Sequence, residues 1–193
     1  LKPAARRNAR RGMQLVFQDT LGALNPRMRV GDALREVLHV HRRAEFASRA
    51  EMDACVHGLL DMVELQPEAA RRFPHEISGG QRQRIGIARA LAANPRLLIA
   101  DEPVSALDVA VQAQMLKTLR RLLDATGLTM IFIAHDLAVV SCMCERAVVM
   151  DGGRIVEQGD PRRMFANPQT DFVRALVDAV PDVSRAMAAR FGV

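Results

Sequence analysis

Ile77-Ser78-Gly79-Gly80-Gln81-Arg82-Gln83-Arg84, followed a helix's length later by Leu97-Leu98-Ile99-Ala100-Asp101-Glu102, decides how this chain folds. In the first stretch Ser78 can cap a helix, and Gln81 three residues on completes a capping box. Gly79 and Gly80 weaken a first turn, so their missing side chains need a reason. One reason is access: backbone N–H groups and the positive helix end can then approach an anion. The second stretch is a short apolar run suited to a buried parallel strand, and it ends on two carboxylates. Ligands of α/β sheets bind at such strand ends. Asp101 there can hold Mg²⁺ through water, and Glu102 can polarise an attacking water. A plain helix cap and an acidic loop are the structural alternatives when each stretch is taken alone. Together they point to chemistry on a phosphate.

Outward from these stretches, residues 13–17 form an apolar strand candidate ending at Gln18. Residues 20–30 read as a loop broken by Gly22 and Asn25-Pro26. Residues 30–40 and 50–63 read as amphipathic helices, and a helix over 81–92 stops near Asn94-Pro95. A further helix over 109–125 ends before Gly127. Residues 129–134 are β-branched and apolar, a second buried strand that stops at His135, and Asp136 can cap the helix that follows through Cys144. Residues 147–150 and 154–157 flank Asp151-Gly152-Gly153, a hairpin signal. From Pro161 onward, helix-like pieces alternate with Pro168 and Pro181. Strands alternating with helices give an α/β fold with a mainly parallel sheet. We expect one domain over 1–193, with an inserted helical subdomain around 25–90, a core portion around 91–160 and a tail over 161–193.

The 193 residues suffice for one domain with a real core, and 49% hydrophobic with 25% charged residues is ordinary globular composition. No apolar run is long enough to cross a membrane. The net charge of +5 comes mostly from scattered arginines, with Lys2 and Lys117 the only lysines. Arg6, Arg7, Arg10 and Arg11 form the one dense cluster, and there is no Trp or Tyr on which bases could stack. The charge reads as a solvated surface, and no nucleic acid is expected. Cys142 and Cys144 are two apart in a helix and share no face, so with Cys55 they make no four-ligand zinc site. Three free thiols suit a reducing cytosol. His39 and His41 read as helix surface. Residue 1 is Leu, so the native N-terminus is expected to lie upstream.

The order of these features matters more than any one of them. A Gln after a strand, a helical insert, Ser78-Gly79-Gly80-Gln81, a strand ending Asp101-Glu102, then Ser105-Ala106-Leu107-Asp108 and a strand ending in His135 form a composite pattern. This resembles the ATP-binding subunit of ABC transporters over nearly the whole chain. The resemblance implies a P-loop NTPase-like, RecA-like fold with an inserted signature subdomain. It makes Gln18 the Q-loop glutamine and Ile77 to Gln81 the signature, with Ile77 in place of the commoner Leu. Asp101 becomes the Walker B aspartate, Glu102 the catalytic glutamate, Ser105 to Asp108 the D-loop and His135 the switch histidine. Glu102 and His135 are then catalytic. Gln18, Ser78, Gly79, Gly80, Gln81 and Asp108 contact ATP, while Asp101 and Gln18 hold Mg²⁺.

Leu24-Asn25-Pro26-Arg27-Met28, and Asn167-Pro168-Gln169 with Arg174-Ala175-Leu176, resemble the dipeptide and oligopeptide importer branch; Thr20-Leu21-Gly22 and Thr170-Asp171-Phe172-Val173 depart from it. The resemblance implies a second ATPase subunit, transmembrane permease subunits, an extracytoplasmic solute-binding protein and a peripheral location at the cytoplasmic face of the membrane. The phosphate-binding loop, a glycine-rich turn leading to Gly-Lys-Ser or Gly-Lys-Thr, is not among the 193 residues and is expected upstream. The fragment alone is therefore expected to be inactive. Two other readings stay open. One is an inert remnant acting as a binding partner. The other is an ABC ATPase of DNA maintenance, against which the roughly 60 residues between Gln18 and Ser78 show no sustained heptads.

Overall fold

The computed structural model describes residues 12–18 and 20–180. The arginine cluster at 6–11, Asp19 and the tail from Pro181 lie outside the described residues. The chain divides into two compact units, Leu1–Ile133 and Ala134–Val193.

The first unit is built on a three-stranded parallel sheet, β1 (Met13–Val16), β2 (Leu97–Asp101) and β3 (Thr129–Ile133), with β2 in the middle. Met13 pairs with Leu97 and Leu97 with Thr129, so the three strands run in step to Asp101 opposite Ile133. Parallel neighbours need long crossovers. The first is the helical segment 20–92, comprising α1 (Thr20–Ala23), α2 (Val30–Arg42), α3 (Arg49–Met62) and α4 (Gly79–Ala92). The second is α5 (Val109–Thr126). Val16, Leu98 and Ala100 share one sheet face and are buried, along with helix residues Leu34, Leu38, Leu60, Ile85 and Ile87. Each of the Val, Leu and Ile side chains contributes about 1.5–3 kcal/mol by leaving water.

The other sheet face departs from the sequence reading. Residues 129–134 read as a buried strand, yet Ile131 is 49% and Ile133 46% exposed, beside half-open Met13 and Leu15 on β1. Among the described residues β3 is a sheet edge, and alternate side chains on it project from the uncovered face. The strand also stops at Ile133, one residue short of expectation. A second departure is α1, a single helical turn in what reads as loop. Asn25 then makes the break, accepting from Met28 N–H through its carbonyl (3.1 Å) and from Arg27 N–H through its side chain (3.0 Å).

Caps follow the sequence closely. Ser78 Oγ accepts from Gln81 N–H (3.3 Å), and Gln81 Oε1 accepts from Ser78 N–H (3.1 Å), which is the capping box read from the sequence. The helix therefore starts at Gly79, two residues earlier than its apolar pattern. Asp108 caps α5 through Val111 N–H (3.0 Å), and Gly127 at φ +64° ends it. α2 has no side-chain cap. Instead Val30 N–H donates to the Arg72 carbonyl (2.9 Å), and Gly31 sits so close to Ala70 that a Cβ would be 2.9 Å from its carbonyl oxygen.

In the second unit Asp136 caps α6 (Leu137–Met143) through Ala138 and Val139 N–H, at 2.9 and 3.3 Å. β4 (Ala147–Asp151) and β5 (Arg154–Gly159) pair antiparallel around Gly152 and Gly153, both at positive φ as a two-residue hairpin turn requires. α7 (Pro161–Ala166) and α8 (Asp171–Asp178) follow. Leu137, Ala147, Met164, Phe165 and Val173 form the core. Burial pushes the Cys142 thiol up against a partial lowering by Arg162, which leaves it a poor metal thiolate. No helix among the described residues is long and apolar enough to cross a membrane.

Glu157 on β5 fixes the start of α8. Its carboxylate accepts from Gln169 N–H (3.2 Å), Thr170 N–H (3.1 Å) and Thr170 Oγ1 (3.0 Å). Desolvation pushes this carboxyl up, but the Gln169 and Thr170 bonds and the Arg174 charge outweigh it and hold the group below the usual range. A depressed carboxylate stabilises fully above its unfolded pKa, and that contribution disappears as pH falls through the folded value. Amide exchange in α8, corrected for its intrinsic pH dependence, should therefore accelerate below about pH 4, and Glu157→Gln should flatten that dependence. Unchanged protection of α8 down to pH 3 in the parent protein would contradict this.

Candidate functional site

The end of β2 gathers the first group of predicted residues. Asp101 is its last residue, half-buried and on the open sheet face. At Glu102 the backbone leaves the strand with φ +45°, a left-handed conformation unusual for a side chain of this size. Two contacts hold it there. Glu102 N–H donates to the Ile133 carbonyl at the end of β3 (2.9 Å), and the Glu102 carbonyl accepts from Ser105 N–H (3.3 Å) and Ser105 Oγ (3.1 Å). Strained backbone that persists because its surroundings over-determine it is a mark of functional sites.

Gln18 reaches this point from the end of β1, 84 residues away in sequence. Its Nε2 donates to Glu102 Oε2 at 3.0 Å and to Ser105 Oγ at 3.3 Å. Both bonds use the amide nitrogen and neither uses the amide oxygen. The structure thus brings together Gln18, Glu102 and Ser105. Ser105 is absent from the predicted site. The signal was a serine three residues after the Glu, in a segment read only as a motif.

The second group lies at the start of α4. Among the described residues the N–H groups of Gly79 and Gly80 donate to no protein acceptor, as expected for the first two helical positions. Arg82 fixes the approach, its Nη1 donating to the Ile77 carbonyl at 2.6 Å. The two glycines are not equivalent. A Cβ on Gly79 would meet only Arg82 Nη2 at 3.8 Å, so that face is open. On Gly80 it would lie 2.7 Å from Val111 Cγ1 and 4.0 Å from Leu107 Cδ2, so this glycine is required by packing against the start of α5. Close helix contact explains Gly80, while the structure sets no packing requirement on Gly79. Asp108, between Leu107 and α5, uses one carboxylate oxygen for its cap.

His135 belongs to the second unit, where it is exposed in the bend before Asp136. No cluster of three or more His, Cys, Asp or Glu side chains suited to a metal occurs among the described residues. A cation here would take Asp101, the Gln18 amide oxygen and oxygens from a ligand or water, a hard-oxygen set that fits Mg²⁺. Arg89 on α4 adds a link the sequence did not announce. Its Nη1 donates to the Ala23 carbonyl at 2.5 Å, tying the segment after Gln18 to the helix that starts at Gly79.

Comparison with known proteins gives this geometry its context. A family model described as "ABC transporter" matches residues 1–105. A Brucella abortus protein named for peptide import and ATP binding is 50% identical over 184 residues, covering 95% of this chain and 54% of that protein. A Brucella ovis protein with the same type of name is 49% identical over 175 residues, covering 91% and 54%. The chain thus spans about half the length of these curated relatives. Among solved structures, CbiO1 of Clostridium perfringens, described as part of an ABC transporter complex, superposes with TM-score 0.75 at 25% identity, covering 96% of this chain and 71% of that one. A dimeric ATP-binding cassette with ADP and Pi, in a post-hydrolysis state, superposes with TM-score 0.71 at 29% identity, covering 84% and 68%.

Proposed function

Because the chain belongs to the ABC transporter family, we propose that its residues serve the ATP-binding subunit of an importer, in which ATP hydrolysis drives uptake of peptides or related solutes. The observation that carries the hydrolytic part is the Glu102 carboxylate at the end of the central strand, held by the Gln18 amide and the Ser105 turn. The peptide part rests on relatives at about half identity whose names specify peptide import.

In this reading Glu102 takes a proton from the water that attacks the γ-phosphorus as the bond to the β,γ-bridging oxygen breaks and ADP leaves, and Gln18 keeps its carboxylate aimed. His135 takes the part of the switch histidine that the resemblance gives it. Asp101 and Gln18 hold Mg²⁺, which when bound neutralises charge on the phosphates. Gripping that ATP calls for a phosphate-binding loop, a run that does not occur among these 193 residues. Ser78 to Gln81 and Asp108 face a different nucleotide, the one held by a second ATPase subunit, with the open Gly79 and Gly80 N–H groups meeting its γ-phosphate. The exposed Asn25-Pro26-Arg27 turn docks on a permease at the cytoplasmic face of the membrane. Arg89 carries its movement to α4. An extracytoplasmic solute-binding protein would deliver the peptide.

The reading is tested by separating machinery from grip. The full-length protein should hydrolyse ATP in the presence of Mg²⁺, while the isolated 193-residue chain should neither retain ATP in equilibrium dialysis nor release phosphate. Hydrolysis by the isolated chain would overturn the division of labour, and an inert full-length protein would overturn the ATPase reading itself.

A further inference from the structure

Glu64 stands just past the end of α3 with φ +58°, in the left-handed region where glycine is the ordinary occupant. Its N–H donates to the Asp61 carbonyl at 2.8 Å, closing the helix, a service glycine would perform without strain. What glycine could not supply is the carboxylate, and this carboxylate joins three helices. Oε2 accepts from Arg84 Nη1 on α4 at 3.1 Å and from Gln114 Nε2 on α5 at 3.5 Å, while Oε1 accepts from Arg121 Nη2, also on α5. Gln114 and Arg121 are two turns apart and so lie on one face of α5.

The Arg84 bond differs from a solvated surface pair, whereas the Arg121 and Gln114 bonds lie at the exposed end of the tie. The Arg84 side chain is only 8% exposed, and burial holds its guanidinium below the ordinary value. Its Nη1 also donates to the Val63 and Glu64 carbonyls at 3.0 and 3.3 Å. Among the described residues Glu64 is the one carboxylate in ion-pair range of it. Arg84 stands one turn along α4 from Gly80, whose bare Cα is pressed against Val111 at the start of α5. The two helices are thus fastened at one point by steric fit and at another by charge.

We propose that Glu64 is a positioning residue that locks α4 to α5. The Ser78–Gln81 edge and the 105–108 segment then meet a second subunit as one rigid surface. The lock as a structural device stands on the contacts above; its consequence for ATP rests on the reading in the preceding subsection.

Glu64→Gly in the full-length protein removes the carboxylate and the backbone strain together, the relief of strain offsetting only part of the cost of leaving the buried Arg84 guanidinium unpaired. Arg121→Ala cuts the same tie from its exposed end. In both, without nucleotide, amide exchange over 79–83 should run about five- to tenfold faster, with Tm nearly unchanged in Arg121→Ala, where the Arg84 pair survives, and lowered in Glu64→Gly. With ATP, KM should rise about threefold at a kcat within twofold of the parent, a split that a purely structural role would not produce. Parent-like exchange over 79–83 together with parent-like KM in Glu64→Gly would overturn the lock. Exchange is read without nucleotide, so an absence of ATPase activity would count against the proposed function and not against the lock.

Discussion

Glu102→Gln in the full-length protein should lower ATP turnover about 10²–10⁴-fold, the range for loss of a positioned acid–base group. The substitution isolates the chemistry because the geometry tolerates it. A Gln amide oxygen can still accept from Gln18 Nε2, as Glu102 Oε2 does at 3.0 Å. The backbone bonds to Ile133 and Ser105 are unaffected, since they involve no Glu102 side-chain atom. What is lost is the capacity to take a proton. ATP affinity should stay within a few-fold of the parent, so the loss falls on kcat rather than KM. Steady-state phosphate release over a range of ATP concentrations measures both. Near-parent turnover would remove Glu102 from the role of base and leave the Gln18–Glu102–Ser105 group a structural turn. Gln18→Ala should cost less, because it unaims the carboxylate without removing it.

Local chemistry accounts for which of these features the sequence could announce. The capping box at Ser78 and Gln81, the Asp136 cap and the Gly152-Gly153 turn involve residues within four positions of each other, and each appears in the structure as read. The order of strands and helices was legible for the same reason, since period and breakers are local. The exposure of Ile131 and Ile133 was not, because an apolar strand looks the same whether its far face is covered or open. The contacts of Ser105, read only as the start of a motif, and those of Glu64 were not legible for a related reason. Their partners Gln18, Arg84 and Arg121 are 87, 20 and 57 residues away, and no spacing rule reaches that far. Positive φ at Glu64 and Glu102 is also a tertiary property. Nothing in the identity of a glutamate foretells it, and at both positions the side chain makes hydrogen bonds far along the sequence.

Gly80→Ala should be strongly damaging, and Val111→Ala should repair it. The added Cβ would stand 2.7 Å from Val111 Cγ1, well inside van der Waals contact. Val111 cannot yield easily, since a β-branched side chain in a helix has one strongly preferred χ1, and its N–H is held by Asp108 at 3.0 Å. Overpacking of this kind costs about 1–3 kcal/mol, and for a domain of this size each kcal/mol lowers Tm by about 2–4 °C. The first turns of α4 and α5 should be forced apart, and ATPase activity in the full-length protein should fall about tenfold or more, as when catalytic groups are misplaced by an ångström. The double variant separates two explanations for this glycine. If Gly80 is bare so that α5 can approach, shortening Val111 restores both Tm and turnover, giving a coupling energy of the size expected for residues in direct contact. If it is bare so that a phosphate can approach, the extra methyl still obstructs the anion, and Val111→Ala restores stability without activity. The contact at Val111 favours the first outcome, whereas Gly79, whose Cβ direction is open, should show no rescue by any change on α5.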